Sequence, residues 1–167
     1  MKRKDLLWLL AYPVYQTVST IRHEGSHALA AMAEGAKVTE FVFWPSFFNE
    51  KFYWGYAIWH GSTTWFTTAA PYFSDLITFF LALLIILEAK PKRRWVWLNI
   101  LIIGMLSPFI NSVYNYMRGL ITSLHDVGEL LWGLNPVAVH LYFALTLVFY
   151  AWGLYHCYFR KKTWHPK

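Results

Sequence analysis

The sequence predicts an all-α integral membrane bundle: four transmembrane helices, a short re-entrant or interfacial helix, and a small β-hairpin after the first helix. Of the 167 residues, 57% are hydrophobic, only 14% are charged and 20% are aromatic. Soluble domains have roughly 45–50% apolar and about 25% charged residues, so the composition argues against a water-soluble globule. The length fits a single membrane domain, residues 1–167.

Four apolar stretches have the length of about 20 residues that crosses the hydrocarbon core of a bilayer. Pro71 is placed at the start of the second helix, a position that proline favours. The segment 115–135 is too polar to span and is predicted as a short helix, partly buried among its neighbours. The predicted transmembrane stretches are residues 6–33, 69–88, 95–114 and 137–158.

Residues 37–65, between the first two spans, are predicted to form an interfacial β-hairpin. Residues 37–44 and 52–59 are rich in β-branched and aromatic side chains, and Pro45 and Ser46 between them favour a turn. One interpretation is an aromatic belt at the membrane surface. The other is an exposed strand edge that receives an extended peptide.

Basic residues cluster at 2–4, 90–94 and 160–162. With four crossings all three clusters fall on one side of the membrane, and the positive-inside rule then predicts cytoplasmic N- and C-termini. The net charge of +6 does not indicate nucleic-acid binding, because the basic residues flank apolar segments and do not line a polar groove. The apolar segments between the basic clusters are expected to contact the lipid bilayer.

The clearest chemical signal is His23-Glu24-Gly25-Ser26-His27 at the polar end of the first span. Histidines four residues apart share a helix face, so both can bind one metal ion with the carboxylate beside it. Hydrolytic zinc needs two neutral nitrogen ligands, a carboxylate base and an open position for water. Chance would produce this pattern in about one such sequence in a hundred. The alternative is that the span ends near Ile21 and the cluster is its solvated end.

A third metal ligand has to come from elsewhere in the chain. Asp126 is the best candidate, because it lies in the mixed segment and would be buried only with a partner. Its neighbours His125 and Glu129 remain alternatives. The other histidines are interpreted as interfacial or core residues: His60, His140, His156 and His165.

The remaining polar residues and the single cysteine are given structural roles, except for the polar residues of the third span, for which two interpretations stay open. Asp75 is interpreted as a first-turn carboxylate stabilised by the helix dipole. The single cysteine, Cys157, excludes an internal disulfide framework and a Cys-rich zinc site. The polar residues of the third span either line a water route or form interhelical hydrogen bonds: Ser107, Asn111, Ser112 and Asn115.

Three blocks of sequence carry a family resemblance. The most specific is His-Glu-Gly-Ser-His-Ala-Leu-Ala-Ala at 23–31, followed by Glu-Gly-Ala-Lys-Val at 34–38. Ala-Ala-Pro-Tyr-Phe-Ser-Asp at 69–75 opens the next helix, and His-Asp-Val-Gly stands at 125–128. With these blocks the chain resembles the site-2 protease-like intramembrane metalloproteases, peptidase family M50.

The resemblance implies a zinc metallopeptidase that cleaves membrane-embedded protein or peptide substrates. His23, His27 and Asp126 would bind Zn²⁺, and Glu24 would be the general base. Asn111 and Asn115 would supply the asparagine that family members place near the reacting carbonyl, and so bind substrate. The hairpin would help to position the substrate.

A second hypothesis is a non-catalytic membrane scaffold or accessory subunit that keeps the metal-binding bundle. The small size and the aromatic-rich faces fit this reading, and Glu24 separates the two hypotheses because a structural metal site does not need it. A transporter or channel is disfavoured, since the spans show no internal repeat and carry few charges.

Overall fold

The computed structural model describes residues 12–48 and 51–159. Within them the fold is mostly helical, with two small two-stranded sheets between the first and second helices, which confirms a helical fold with a small β region. The α-helices are α1 (Tyr12–Ala33), α2 (Trp65–Leu84), α3 (Arg94–Leu101), α4 (Ser107–Ile121), α5 (Asp126–Gly133) and α6 (Pro136–Tyr158). A π-helical turn at Ile85–Ala89 continues α2, and another at Ile102–Leu106 joins α3 to α4.

Three helical stretches are long and apolar enough to cross a membrane: Trp65–Ala89, Arg94–Ile121 and Pro136–Tyr158. The described part of the first predicted span, α1, is not among them, because it carries the polar residues 22–27. Residues 6–11 of that span and the basic clusters 2–4 and 160–162 lie outside the described residues. The fourth crossing therefore stays a prediction.

Helix α2 begins earlier than the sequence suggested. The Thr64 side chain accepts a hydrogen bond from the Phe66 N–H and caps the helix at its start. Pro71 consequently lies inside the helix, and its placement at the helix start was wrong. The aromatic side chains of Trp65 and Phe66 resemble those of the hairpin, which concealed the true boundary.

The two sheets are nested in the chain between α1 and α2. Strand β1 (Lys37–Val42) pairs antiparallel with β4 (Tyr56–His60), and β2 (Ser46–Phe48) pairs antiparallel with β3 (Lys51–Tyr53). Just before β4, Gly55 packs so closely on α1 that an added Cβ would lie 2.5 Å from Thr20 Cγ2. Strand β4 therefore crosses α1 directly beside the His23–His27 turn.

Two apolar clusters hold the helices together. One joins α2, α3 and α6 around Phe79, Met105 and Tyr150. The other joins α5 to α2 and α6 through Val127, Tyr72 and Phe143. The second cluster matters most for the site, because it fixes the helix that begins with Asp126.

Candidate metal centre

The structure brings His23, His27 and Asp126 together. The two histidines project from one face of α1, and Asp126 is the first residue of α5, about 100 positions later in the chain. The Nε2 atoms of His23 and His27 lie 3.1 and 3.2 Å from the same Asp126 oxygen, Oδ2. All three donor atoms lie within 4.8 Å of one another.

This donor set fits a zinc ion. Tetrahedral zinc with bonds of about 2.0–2.1 Å has ligand atoms about 3.3 Å apart, close to the two nitrogen–oxygen distances of 3.1 and 3.2 Å. Two imidazoles and one carboxylate also form a common ligand set of catalytic zinc sites, which leave a fourth position open.

His27 is held in the orientation that a metal ligand needs. Its Nδ1–H donates to the backbone carbonyl of Thr67 over 2.8 Å, so Nε2 keeps its lone pair and faces Asp126. The Trp59 ring of β4 stacks on the imidazole with centroids 5.9 Å apart. The ring is therefore fixed on two sides, and His27 is buried.

The two asparagines of α4 lie on the side of the cluster that is formed by His23. Asn111 Nδ2 is 3.2 Å from His23 Nδ1 and 2.8 Å from Asp75 Oδ2. Asn115 in turn donates to Asn111 Oδ1 over 3.0 Å. Asn111 thus contacts the cluster directly and Asn115 contacts Asn111; their role in substrate binding stays a prediction.

Asp75 is paired with Arg22, a contact that the sequence did not indicate. The carboxylate is fully buried, and its Oδ1 lies 2.7 Å from the Arg22 guanidinium. Because α2 begins at Trp65, Asp75 is the eleventh residue of the helix. Its interpretation as a first-turn carboxylate was therefore wrong, and the compensating charge comes from α1.

Glu24 lies beside the cluster without being one of its three donors. Its carboxyl group accepts a hydrogen bond from the backbone N–H of Ala57 in β4 and interacts electrostatically with His23, His27 and Asp126. The hairpin therefore positions the carboxylate next to the three candidate donor atoms, where the predicted base would act.

Glu34, directly after α1, is anchored to the first turn of α2. Its carboxylate accepts hydrogen bonds from the Thr64 N–H over 2.8 Å, from the Thr64 hydroxyl and from the Thr67 hydroxyl over 2.7 Å. The bonds from Thr64 lower the pKa of Glu34 below its ordinary value. Sequence reasoning missed this contact, although threonines at the start of an apolar helix are a capping signal.

The remaining candidate residues have other partners. His125 Nε2 lies 2.6 Å from the Arg118 guanidinium, and Glu129 accepts a 3.5 Å contact from Thr68. His140 Nδ1 lies 2.9 Å from the Tyr116 hydroxyl. Within residues 12–48 and 51–159, the three-member cluster includes none of the other candidates: His60, His125, Glu129, His140 and His156; His165 lies outside the described residues.

Asp126 is fixed from two directions. The Tyr72 hydroxyl donates to its Oδ2 over 3.3 Å, and Gly128 lets the start of α5 pack against the preceding loop. A Cβ on Gly128 would lie 2.7 Å from Ser123 Cα and against the Thr122 carbonyl oxygen. Both are backbone atoms, so α5 and its aspartate would have to shift.

We therefore expect Gly128→Ala to destabilise the protein by about 1–3 kcal/mol, the usual cost of overpacking, and to weaken metal binding. Unfolding in detergent and metal titration measure the two effects. Gly133→Ala is the matched control, since it lies in the same helix with no atom within 4 Å of an added Cβ. Equal stability and metal affinity in both variants would contradict the close approach.

The family model described as Peptidase M50B-like matches residues 6–160. No curated protein and no solved structure matches the chain. The match covers α1 with its two histidines, the hairpin, and α5 with Asp126, so it includes every residue of the cluster.

Proposed function

Because the chain belongs to the Peptidase M50B-like family, we propose that it is a zinc-dependent intramembrane protease that hydrolyses peptide bonds of membrane-embedded substrates. The observation that carries the proposal is the convergence of His23, His27 and Asp126 on one point, with the Glu24 carboxyl beside them. The three apolar helices and the family indicate a membrane protein.

The contacts of α2 support a site within the bilayer. His27 bonds to Thr67, near the start of the membrane-length stretch Trp65–Ala89, and Arg22 bonds to Asp75 further along it. At 1.5 Å per residue these two contacts are about 12 Å apart along the helix axis. Helix α1 accordingly lies alongside a span, which favours its assignment as the fourth crossing.

His23, His27 and Asp126 would hold the zinc ion, which would supply Lewis-acid chemistry for peptide hydrolysis near neutral pH. Glu24 accepts the proton that the attacking water loses and returns it to the leaving nitrogen. Thr67 and Tyr72 orient His27 and Asp126, while the Trp59 ring shields one face of His27 from water.

The hairpin and α4 are the proposed substrate-handling elements. Strand β4 contacts both Glu24 and His27, which favours a role in positioning substrate over that of a simple aromatic belt. Asn111 and Asn115 border the cluster on the side of α4 and are the proposed substrate-binding amides. We propose that the lipid bilayer surrounds the helical bundle and that both termini lie in the cytoplasm.

Metal analysis of the purified protein tests the ligand assignment. We expect near-stoichiometric zinc in the wild type and its loss in His23→Ala and Asp126→Ala, because each substitution removes one of three protein ligands. His140→Ala is the control, since its imidazole bonds to Tyr116. Zinc retained in both ligand variants would overturn the proposal; retention in Asp126→Ala alone would transfer the third-ligand role to Glu129 or His125.

A further inference from the structure

The carbonyl that orients His27 is available because of a proline. In an α-helix the carbonyl of one residue accepts from the N–H four residues later. For Thr67 that residue is Pro71, which lies inside α2 and has no N–H. The Thr67 carbonyl is thereby released from the helix pattern, and it accepts the His27 Nδ1–H over 2.8 Å.

The same residue is anchored through its side chain. The buried Thr67 hydroxyl donates to Glu34 Oε2 over 2.7 Å, and the same carboxylate oxygen accepts from the Thr64 N–H over 2.8 Å. Glu34 lies seven residues after His27, directly after the last residue of α1. The C-terminal half of α1 and the residue that follows it therefore contact the start of α2 at two points, through the His27 ring and the Glu34 carboxylate.

We infer that Pro71 and Glu34 are positioning residues for His27: Pro71 releases the Thr67 carbonyl, and Glu34 holds Thr67 where that carbonyl meets the imidazole. The inference rests on the proposed function in that it takes His27 as a zinc ligand. Neither residue contacts the metal-binding atoms, so both act through Thr67. A ligand histidine whose second nitrogen is bonded to a carbonyl keeps the tautomer and the ring orientation that the metal requires.

Pro71→Ala separates this role from a structural one, because the two predict opposite signs. Alanine restores an N–H that competes with His27 for the Thr67 carbonyl, so zinc affinity should fall by about 10–100-fold. Alanine also restores a helical hydrogen bond and relieves the proline clash, so the thermal stability of the protein without added metal should stay equal or rise. A purely structural role for Pro71 predicts the reverse: the thermal stability should fall, and the zinc affinity of the folded protein should stay unchanged.

The experiment measures zinc affinity by competition with a chelator, together with thermal unfolding in detergent. Pro108→Ala is the matched control, a buried proline inside the helical stretch Arg94–Ile121. It follows the π-helical turn Ile102–Leu106, in which the Ile103 carbonyl accepts from Arg22 over 3.5 Å and not from a proposed zinc ligand. We expect its zinc affinity to stay within about twofold of the wild type, since it is not bonded to a proposed ligand.

Glu34 provides a second test at a half-buried position outside the two apolar clusters. Glu34→Ala should weaken zinc binding by about 3–10-fold, less than loss of the direct contact, and Glu34→Gln should recover most of the affinity, because its amide oxygen still accepts from Thr64 and Thr67. Glu40→Ala is the control, an exposed glutamate that accepts from the Tyr56 hydroxyl over 2.6 Å.

Unchanged zinc affinity in Pro71→Ala and Glu34→Ala would overturn the inference while leaving the zinc site intact. Loss of affinity in the Pro108→Ala and Glu40→Ala controls to the same degree would also overturn it, since the effect would then be general. Failure of the wild-type protein to bind zinc would instead refute the proposed function. This outcome differs from failure of the inference, in which the wild-type protein and all variants bind zinc equally well.

Discussion

Glu24→Gln is expected to abolish cleavage of a co-expressed membrane substrate while leaving the zinc content unchanged. Glutamine has nearly the same shape and can still accept the hydrogen bond from the Ala57 N–H, but it cannot take or return a proton. General acid–base catalysis contributes about 10²–10⁴-fold to rate, so product should fall below detection in a cell-based assay. Immunoblots of the substrate and metal analysis of the purified variant measure the two quantities.

Glu88→Gln is the control for this experiment, because Glu88 is exposed and lies in the π-helical turn Ile85–Ala89, outside the hairpin and α4. We expect it to cleave at the wild-type level. Wild-type cleavage by Glu24→Gln would exclude the proposed base. If neither the wild-type protein nor any variant cleaves membrane substrates although zinc is bound, the non-catalytic scaffold becomes the better account.

Asp75→Ala should have the largest effect on stability. The substitution leaves the Arg22 guanidinium, only 13% exposed, without the carboxylate that neutralises it. Removing one partner of a buried ion pair costs about 3–5 kcal/mol. Unfolding by a denaturing detergent should show this loss, and the variant should also lose the Asp75 contact to Asn111.

Tyr15→Phe is the matched comparison, because the Tyr15 hydroxyl joins α1 to Asn99 of α3 over 3.0 Å without touching the site. Loss of that hydrogen bond should cost about 1 kcal/mol. The double variant Arg22→Met/Asp75→Leu should regain much of the lost stability, since apolar replacement of a buried pair is often neutral or favourable. A cost for Asp75→Ala no larger than that for Tyr15→Phe would show that the pair does not neutralise a buried charge.

The sequence was most informative where chemistry depends on local spacing. His23 and His27 are four residues apart on a helix, so their convergence follows from helix geometry alone. Asp126 could be nominated because it lies in the mixed segment 115–135, where a carboxylate would be buried only with a partner. Coordinates were needed to choose Asp126 over its neighbours His125 and Glu129. The position and direction of the first turn of α5 decide which of these three side chains faces the two histidines.

The contacts between distant segments could not be read from spacing. The pairing of Arg22 with Asp75 and the grip of Glu34 on Thr64 join parts of the chain that become neighbours only after α1 packs on α2. Both depend on where α2 begins, and the capping threonine was overlooked because aromatic residues follow it. Helix α2 begins at Trp65, four residues before the predicted start of the span at residue 69, so Asp75 lies in the helix interior and not in its first turn.

Because of the π-helical turn at Ile102–Leu106, the number of residues in the stretch Arg94–Ile121 matters for the packing of the bundle as much as their chemical character does. A π turn accommodates one residue more than the helix around it would, and each residue of an α-helix rotates the chain by about 100°. Deleting a single residue here would straighten the helix and rotate one half against the other. Either Trp97 would leave its core cluster or Asn111 would turn away from His23, so insertions and deletions at this point should be tolerated less well than substitutions.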